Sequence, residues 1–272
     1  MTEALVTILG GDILAGLAAL VLYVNAATAL AVLWVLGSRI PVRGLLGPQS
    51  AYALWFLPPA AAALALVFFL VLPPERRLTV PAPSEAVFAA WAAGAALMAT
   101  AFAIGQARFA VQLRRGLTGP AVVGLISPRI VMPADDGHYT AEERALIRAH
   151  ERQHIARKDT RAVALLALVR CLFWFNPFVH LAAGFLRLDQ ELACDAAVVM
   201  NRPRARSAYA RALLKTQLAA TPLPLGCYWP SRGRHPLEVR VAHLKRRETP
   251  REVGGGGRAG RTLTGPVDAI RP

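Results

Sequence analysis

Long apolar stretches dominate the N-terminal part of the chain. Two of them, residues 14–36 and 51–72, are long enough to cross a bilayer as helices. A third stretch, residues 86–105, is rich in alanine and carries no charged side chain. This pattern predicts three transmembrane helices that together form an N-terminal membrane domain, residues 1–106.

A mixed pattern of shorter apolar runs follows, and it predicts a mainly helical domain over residues 107–247. Its first elements are two short strands, Ala121–Val123 and Arg129–Met132, on either side of a turn at Ser127-Pro128. A Gly- and Arg-rich tail, residues 248–272, comes last. It has no apolar periodicity and is predicted to be disordered.

The clearest helix start in this domain is at Thr140. Thr140 followed three residues later by Glu143 forms a capping box, which predicts a helix from about Ala141 to Lys158. Further along, Ser207–Ala219 has the pattern of an amphipathic helix that begins at a serine cap. The basic segment Pro236–Arg247 is predicted to be a short helix or a strand.

A fourth apolar stretch, residues 162–185, is interrupted at Asn176-Pro177. Proline cannot continue a helix interior, and it pushes the preceding residue away from helical geometry. Each arm is then about 12 residues or ~18 Å long, too short to cross a ~30 Å hydrocarbon core. We therefore predict a membrane-associated helical hairpin that returns the chain to the side it came from. A single straight span is the alternative, and it would place the remaining residues outside.

Composition and charge fit a membrane protein with basic cytosolic segments. The chain is 55% hydrophobic with a mean hydropathy of +0.39, yet its net charge is +14, and soluble domains rarely combine these values. Arg39 and Arg43 follow the first apolar stretch without an acidic residue, and basic residues prevail after the third. The positive-inside rule therefore predicts a multi-pass protein of the inner membrane, with its N-terminus outside and everything after Gly105 in the cytosol.

The segment His150-Glu151-Arg152-Gln153-His154 lies on the helix predicted over residues 141–158. Residues four apart lie on one helical face, so the two imidazoles can share one metal ion. Glu151 lies beside that face and can accept a proton from a water molecule at the metal. For this motif alone, a helix with two incidental histidines is the alternative.

A catalytic zinc ion usually has three protein ligands and one open position, so a third ligand is expected. The predicted hairpin returns Glu191 to the side of the membrane on which the helix with His150 and His154 lies. Asp195 lies four residues further along on the same helical face. There its carboxylate can orient a ligand histidine by binding the ring nitrogen that does not face the metal. Asp159 is another candidate for that role, or for an ion pair with Arg161. Asp159, Asp189 and Asp195 are also alternatives to Glu191 as the third ligand.

Several motifs accompany these residues in a fixed order. They are Val123-Gly124-Leu125-x-x-Pro128-x-Ile130-Val131-x-Pro133, His150-Glu151-x-x-His154-x-x-x-x-Asp159, Trp174-Phe175-Asn176-Pro177, Arg187-x-Asp189-x-Glu191-x-x-Cys194-Asp195 and Tyr209-Ala210-x-x-Leu213-Leu214. Together they resemble the BlaR/MecR-type membrane zinc metallopeptidases over roughly residues 5–247. The resemblance implies a gluzincin-like peptidase domain in which His150, His154 and Glu191 bind one Zn²⁺ and Glu151 is the general base.

The best-known members of that family sense β-lactams, trigger the loss of a cytosolic repressor, and carry an extracellular penicillin-binding domain after the peptidase. In this sequence only the Gly/Arg-rich tail follows Arg247, so we expect no β-lactam sensing. The resemblance implies a metalloendopeptidase in signal transduction that cleaves a cytosolic or membrane-adjacent protein. A winged-helix repressor and the enzyme itself are the candidate substrates. Arg187 is a candidate for binding the substrate or the oxyanion, and Cys194 is expected to be a small buried residue.

Two other functions remain open at this point. One is a prenyl-protein or quality-control membrane metalloprotease, and the other is a non-catalytic membrane regulator that uses the peptidase scaffold. Glu151 disfavours the second, because a scaffold has no need of a base. Membrane lipids are expected partners, direct nucleic-acid binding is not expected, and a homodimer is a candidate assembly. The two short strands are candidates for binding an extended peptide by strand addition.

Overall fold

The computed structural model describes residues 2–133, 137–219 and 236–245, and this part of the chain is helical apart from one two-stranded sheet. It confirms a mainly α protein with three long apolar N-terminal helices. The helices are α1 (Thr2–Leu46), α2 (Pro48–Ala53), α3 (Leu57–Val71), α4 (Glu85–Arg114), α5 (Ala141–Ala156), α6 (Asp159–Leu172), α7 (Pro177–Asn201), α8 (Arg206–Ala219) and α9 (Pro236–Lys245). The strands are β1 (Ala121–Val123) and β2 (Arg129–Val131).

Among the described residues, three helical stretches are long and apolar enough to cross a membrane. They are Ile13–Leu46, Pro48–Val71 and Glu85–Arg114, and the apolar 18-residue window in each has a mean hydropathy of 2.1, 2.3 and 1.9, respectively. The first and third extend beyond the predicted apolar runs, because a helix continues through polar residues as long as its backbone hydrogen bonds do. In the second, a 3-10 turn at Leu54–Phe56 joins α2 to α3 just before two prolines that lack backbone N–H groups.

The predicted interruption at Asn176-Pro177 separates α6 from α7. The Asn176 side chain caps α7 by accepting a hydrogen bond from the Phe178 backbone N–H at 2.8 Å, and Pro177 occupies the first turn. Helix α7 runs for 25 residues, well past the apolar stretch. It therefore carries Glu191 and Asp195 back towards α5.

The tip of this hairpin packs against the membrane helices within their apolar length. The Asn176 amide donates to the Asn25 side chain of α1 at 2.7 Å. On α4, the Trp91 indole donates to the Leu172 carbonyl at 2.9 Å, and the Trp174 indole donates to the Trp91 carbonyl at 3.1 Å. Such reciprocal bonds satisfy polar groups that lipid could not. The hairpin thus lies alongside α1 and α4.

Gly94 of α4 makes room for Trp174. A Cβ atom at Gly94 would clash with the Trp174 indole, so α4 or the turn that carries Trp174 would have to shift. We expect Gly94→Ala to destabilise the protein by about 1–3 kcal/mol and to lower its melting temperature in detergent. Gly184→Ala is the control, because its Cβ would have no heavy atom within 4 Å and alanine favours helix. Equal melting temperatures for the two variants would contradict this close contact.

The capping box predicted for α5 is present. The Thr140 hydroxyl accepts from the Glu143 backbone N–H at 3.2 Å, and the Glu143 carboxylate accepts from the Thr140 N–H at 2.9 Å. The helix ends at Ala156, two residues before the predicted end. The cause is Lys158, which has a left-handed backbone conformation (φ 59°) and turns the chain directly into α6.

A hydrophobic core joins α5, α7, α8 and α9 around buried side chains such as Leu146, Val198, Leu213 and Leu244. Segment 236–245 is a helix, so the predicted helix is confirmed for it and the alternative of a strand is wrong. The two predicted strands are present, although β2 ends at Val131, one residue before the predicted end. They pair antiparallel with Val122 opposite Ile130, and both lie against α5. The tail, residues 248–272, lies outside the described residues.

Candidate metal centre

Helix α5 presents His150 and His154 towards Glu191 of α7. The two Nε2 atoms are 3.2 Å apart. Glu191 places Oε2 at 3.3 Å from Nε2 of His150 and Oε1 at 3.6 Å from Nε2 of His154. Ligand atoms about 2.0–2.1 Å from a zinc ion at tetrahedral angles lie roughly 3.3–3.4 Å from one another. The three side chains therefore fit one tetrahedral metal ion.

The ring of His154 is held by Asp159. Its Nδ1 atom lies 2.8 Å from Asp159 Oδ2, and Arg157 donates to the same oxygen at 3.1 Å. Burial alone would raise the pKa of Asp159, but the His154 hydrogen bond and the Arg157 charge hold it below its usual range. An ionised carboxylate only accepts hydrogen bonds, so Nδ1 carries the proton. The Nε2 lone pair of His154 is then free for a metal.

The ring of His150 is held by Tyr209 and Asp195. Tyr209 donates its hydroxyl proton to Asp195 Oδ1 at 2.6 Å, and its oxygen accepts from Nδ1 of His150 at 2.8 Å. Asp195 Oδ1 is also 3.3 Å from Nδ1. Burial opposes a charged imidazole, but hydrogen bonds and charges from Asp195 and Glu191 raise the pKa of His150 to about 10. Metal binding must therefore displace a proton from this ring.

Arg240 of α9 connects the two carboxylates of α7. It donates to both oxygens of Asp195 at 2.8 Å, and one of its nitrogens lies 2.9 Å from Glu191 Oε2. Burial alone would raise the pKa of either carboxyl group. The charge of Arg240, together with the histidines, instead holds both pKa values well below their usual range. Both groups are therefore ionised at neutral pH.

Cys194 is an alternative third ligand, because a potential ligand atom of His150, His154 and Cys194 each lies within 4.8 Å of the others. Its sulfur is 3.5 Å from Nδ1 and 3.6 Å from Nε2 of His154. A sulfur equally far from both nitrogens lies beside the ring and off the line of the Nε2 lone pair. Burial and the neighbouring carboxylates also raise the pKa of this thiol, which disfavours the thiolate that a metal needs. Glu191 has the better geometry.

Glu151 lies between the two histidines in sequence and is 8% exposed. Burial raises the pKa of its carboxyl group, while the adjacent histidine charges lower it in part. A raised pKa brings a carboxylate closer to the range in which it can take up and release a proton near neutral pH. The residue therefore has an environment that suits proton transfer.

The structure also places the remaining predicted residues. Asp189, one alternative for the third ligand, is instead bound by Arg39, Arg43 and the Trp55 indole at 2.9–3.2 Å. Asp159 pairs with His154, and Arg161 donates to the Leu125 carbonyl at 3.3 Å. Half-buried Arg187 lies one turn before Glu191 on α7. Its role towards the substrate stays a prediction.

Four residues around the site were not predicted from the sequence: Tyr52, Arg157, Tyr209 and Arg240. Tyr209 belongs to a motif that pointed to the family but carried no assigned role. Arg240 lies in the segment Pro236–Arg247, for which the sequence predicted only a short basic helix or strand and no role at the site. Tyr52 is part of a membrane helix, and its hydroxyl donates to Asp159 at 2.8 Å across 107 residues of sequence. No local pattern signals such a contact.

Comparison with known proteins identifies the family of the chain. The family described as BlaR1 peptidase M56 matches residues 94–244, more than half of the chain, and the match includes His150, His154 and Glu191. The chain is also 32% identical over 83 residues to the regulatory protein BlaR1 of Bacillus licheniformis. That alignment covers 30% of this chain and 14% of the relative, and no solved structure matches the chain. The chain therefore belongs to the BlaR1 peptidase M56 family.

Proposed function

We propose that this protein is a zinc-dependent metalloendopeptidase of the membrane. His150, His154 and Glu191 are the proposed ligands of one Zn²⁺. One observation carries the proposal: the Nε2 atoms of His150 and His154 lie 3.2 Å apart, and each lies 3.3–3.6 Å from one of the two Glu191 oxygens. Hydrogen bonds on the second nitrogen of each histidine leave both Nε2 atoms facing Glu191. When bound, zinc polarises a carbonyl group and lowers the pKa of a water molecule.

The side chains around that point have separate tasks in peptide-bond hydrolysis. Glu151 accepts the proton of the attacking water and passes it to the leaving amine nitrogen. Asp159 holds the ring of His154, and Asp195 acts with Tyr209 on His150. Ligand histidines supported in this way bind metal more tightly, because their orientation and tautomer are fixed in advance.

The position of the site supports a cytosolic active centre. Arg39 and Arg43 lie near the C-terminal end of α1, and both bind Asp189 of α7, two residues before Glu191. The site therefore lies at the end of α1 that carries the positive charges. Since positive charges favour the cytosolic side, we propose that the active centre faces the cytosol of an inner-membrane protein.

The proposed substrate is a cytosolic or membrane-adjacent protein that takes part in signalling. Membership of a peptidase family and the name of the matching regulatory protein support this class. A transcriptional repressor of the winged-helix type and the enzyme itself are the two candidates. In either case cleavage would transmit a signal from the membrane to the cytosol.

Comparative proteomics of cells that express the wild type or Glu151→Gln tests this function. We expect at least one cytosolic or membrane-adjacent protein to be cut only in cells with the wild type. Arg152→Gln is a matched control, since Arg152 is the next residue on α5 and points to the exposed side. Identical proteomes for all three strains would contradict the proposal and favour a non-catalytic scaffold. Accumulation of prenylated or misfolded membrane proteins would favour the quality-control alternative.

A further inference from the structure

The membrane helices reach the metal centre through two sets of buried contacts. The first begins at Tyr52 of α2, within the second membrane stretch. Its hydroxyl donates to Asp159 Oδ1 at 2.8 Å, and the other oxygen of Asp159 accepts from Nδ1 of His154 at 2.8 Å. Asp159 is 2% exposed. A membrane residue is therefore only one side chain away from a proposed metal ligand.

The second set of contacts holds the helix that carries Glu191. Asp189 is fully buried on α7. Arg39 donates to both of its oxygens at 3.1 and 3.2 Å, Arg43 donates to one at 3.2 Å, and the Trp55 indole donates to the other at 2.9 Å. These donors all belong to the first two membrane stretches. Asp159, which holds the ring of His154, and the helix that carries Glu191 are thus each attached to the membrane helices.

We propose that Tyr52 is a positioning residue of the metal centre, and that α2 thereby influences the affinity of the centre for zinc. The proposal rests on the zinc site described above. Tyr52 fixes one oxygen of Asp159, so that the other oxygen stays in line with Nδ1 of His154. Without the hydroxyl, the carboxylate has one fewer donor and can rotate, and the imidazole loses its fixed direction.

The contacts of Tyr52 allow its hydroxyl to be tested separately from its ring. The Arg157 guanidinium lies 5.0 Å from the centre of the ring, and Arg157 also donates to Asp159. Tyr52→Phe keeps the ring beneath Arg157 and removes the hydroxyl that donates to Asp159. A change in metal affinity in this variant therefore reports on the hydrogen bond, while packing is retained.

A consequence of this arrangement is that the membrane helices can regulate the site. A shift of α2 relative to α6 would lengthen the Tyr52–Asp159 bond, and a shift of α1 would loosen the hold on Asp189. The first movement would weaken the hold of Asp159 on His154, and the second would loosen the helix that carries Glu191. Neither requires a contact with the substrate.

The test is the zinc affinity of the full-length protein in detergent, measured by competition with a chromophoric chelator after the metal has been removed. Replacing outer groups around a metal site typically weakens binding 10–100-fold, and Tyr52 is one step further out, so we expect an apparent Kd about three- to tenfold higher for Tyr52→Phe. Tyr23→Phe is the control, since its hydroxyl accepts from the Leu78 N–H and lies in the same membrane bundle. Its Kd should equal that of the wild type.

Two further variants distinguish a failure of the proposed zinc site from a failure of the positioning role of Tyr52. His154→Ala should lose tight binding, and wild-type affinity in this variant would overturn the zinc site itself. Asp159→Asn should weaken binding at least as much as Tyr52→Phe. If His154→Ala loses zinc while Tyr52→Phe binds as the wild type does, the metal site stands and the positioning role of Tyr52 is wrong. A lower melting temperature of the metal-free Tyr52→Phe protein with an unchanged Kd would likewise show a purely structural role.

Discussion

Glu151→Gln is expected to retain zinc and to cut its protein substrate about 10²–10⁴-fold more slowly than the wild type. Glutamine has the size of glutamate, but its amide cannot accept the proton of the attacking water. The side chain is not a proposed ligand, so the three donor atoms from His150, His154 and Glu191 stay in place. Slow cleavage together with full zinc occupancy would therefore separate proton transfer from metal binding.

This prediction is checked by measuring two quantities on the same purified samples. Zinc content is determined by elemental analysis, and cleavage is followed by gel or mass spectrometry on the substrate identified by proteomics. Arg152→Gln should match the wild type in both. Cleavage by Glu151→Gln at the wild-type rate would show that another group accepts the proton.

Asp189→Ala is expected to cause the largest loss of stability. The carboxylate is the buried counter-charge of Arg39 and Arg43 and accepts the Trp55 N–H. Removing one partner from a buried ion pair costs about 3–5 kcal/mol, because the remaining charges stay desolvated without compensation. Here two arginines lose their partner at once, at the contact between the membrane helices and the helix that carries Glu191.

Thermal unfolding of the detergent-solubilised protein measures this loss. Asp189→Ala should unfold at a clearly lower temperature than the wild type, and Asp189→Asn should lie between them, because the amide keeps one acceptor without the charge. Glu142→Gln, an exposed acidic residue in the first turn of α5, should be close to neutral. If Asp189→Ala unfolded at the wild-type temperature, the buried cluster would not hold the membrane helices to α7.

Local sequence signals predicted much of this structure. The apolar runs indicated the three membrane helices, the Thr140–Glu143 pair indicated the start of α5, and Asn176-Pro177 indicated the hairpin. Each of these signals acts within a few residues, through hydropathy, capping or the missing N–H of proline. The spacing of His150 and His154 likewise defines one helical face wherever that helix lies.

Contacts between distant segments were beyond such signals. Asp189 was an alternative for the third ligand, because sequence spacing could not show that two arginines and a tryptophan from the membrane helices surround it. Arg39 and Arg43 served only to orient the chain in the membrane, although they also bind α7. Tyr52 and Arg240 approach the site from opposite ends of the chain. Their partners depend on how the membrane helices and α9 pack, and no periodicity encodes that packing.

The central claim is that two histidine nitrogens and a carboxylate oxygen hold the metal, with Cys194 left out. X-ray absorption spectroscopy of the zinc-loaded protein tests it most directly. Zinc–nitrogen and zinc–oxygen distances are about 2.0–2.2 Å, whereas a zinc–sulfur distance is about 2.3 Å, and sulfur scatters X-rays more strongly. Cys194→Ala and Glu191→Ala proteins provide the matched comparison.

We predict a first shell of nitrogen and oxygen atoms alone, at about 2.0–2.1 Å, with an identical spectrum for Cys194→Ala and a weakened or lost site for Glu191→Ala. A sulfur neighbour at about 2.3 Å that disappears in Cys194→Ala would contradict the account. It would make Cys194 the third ligand in place of Glu191.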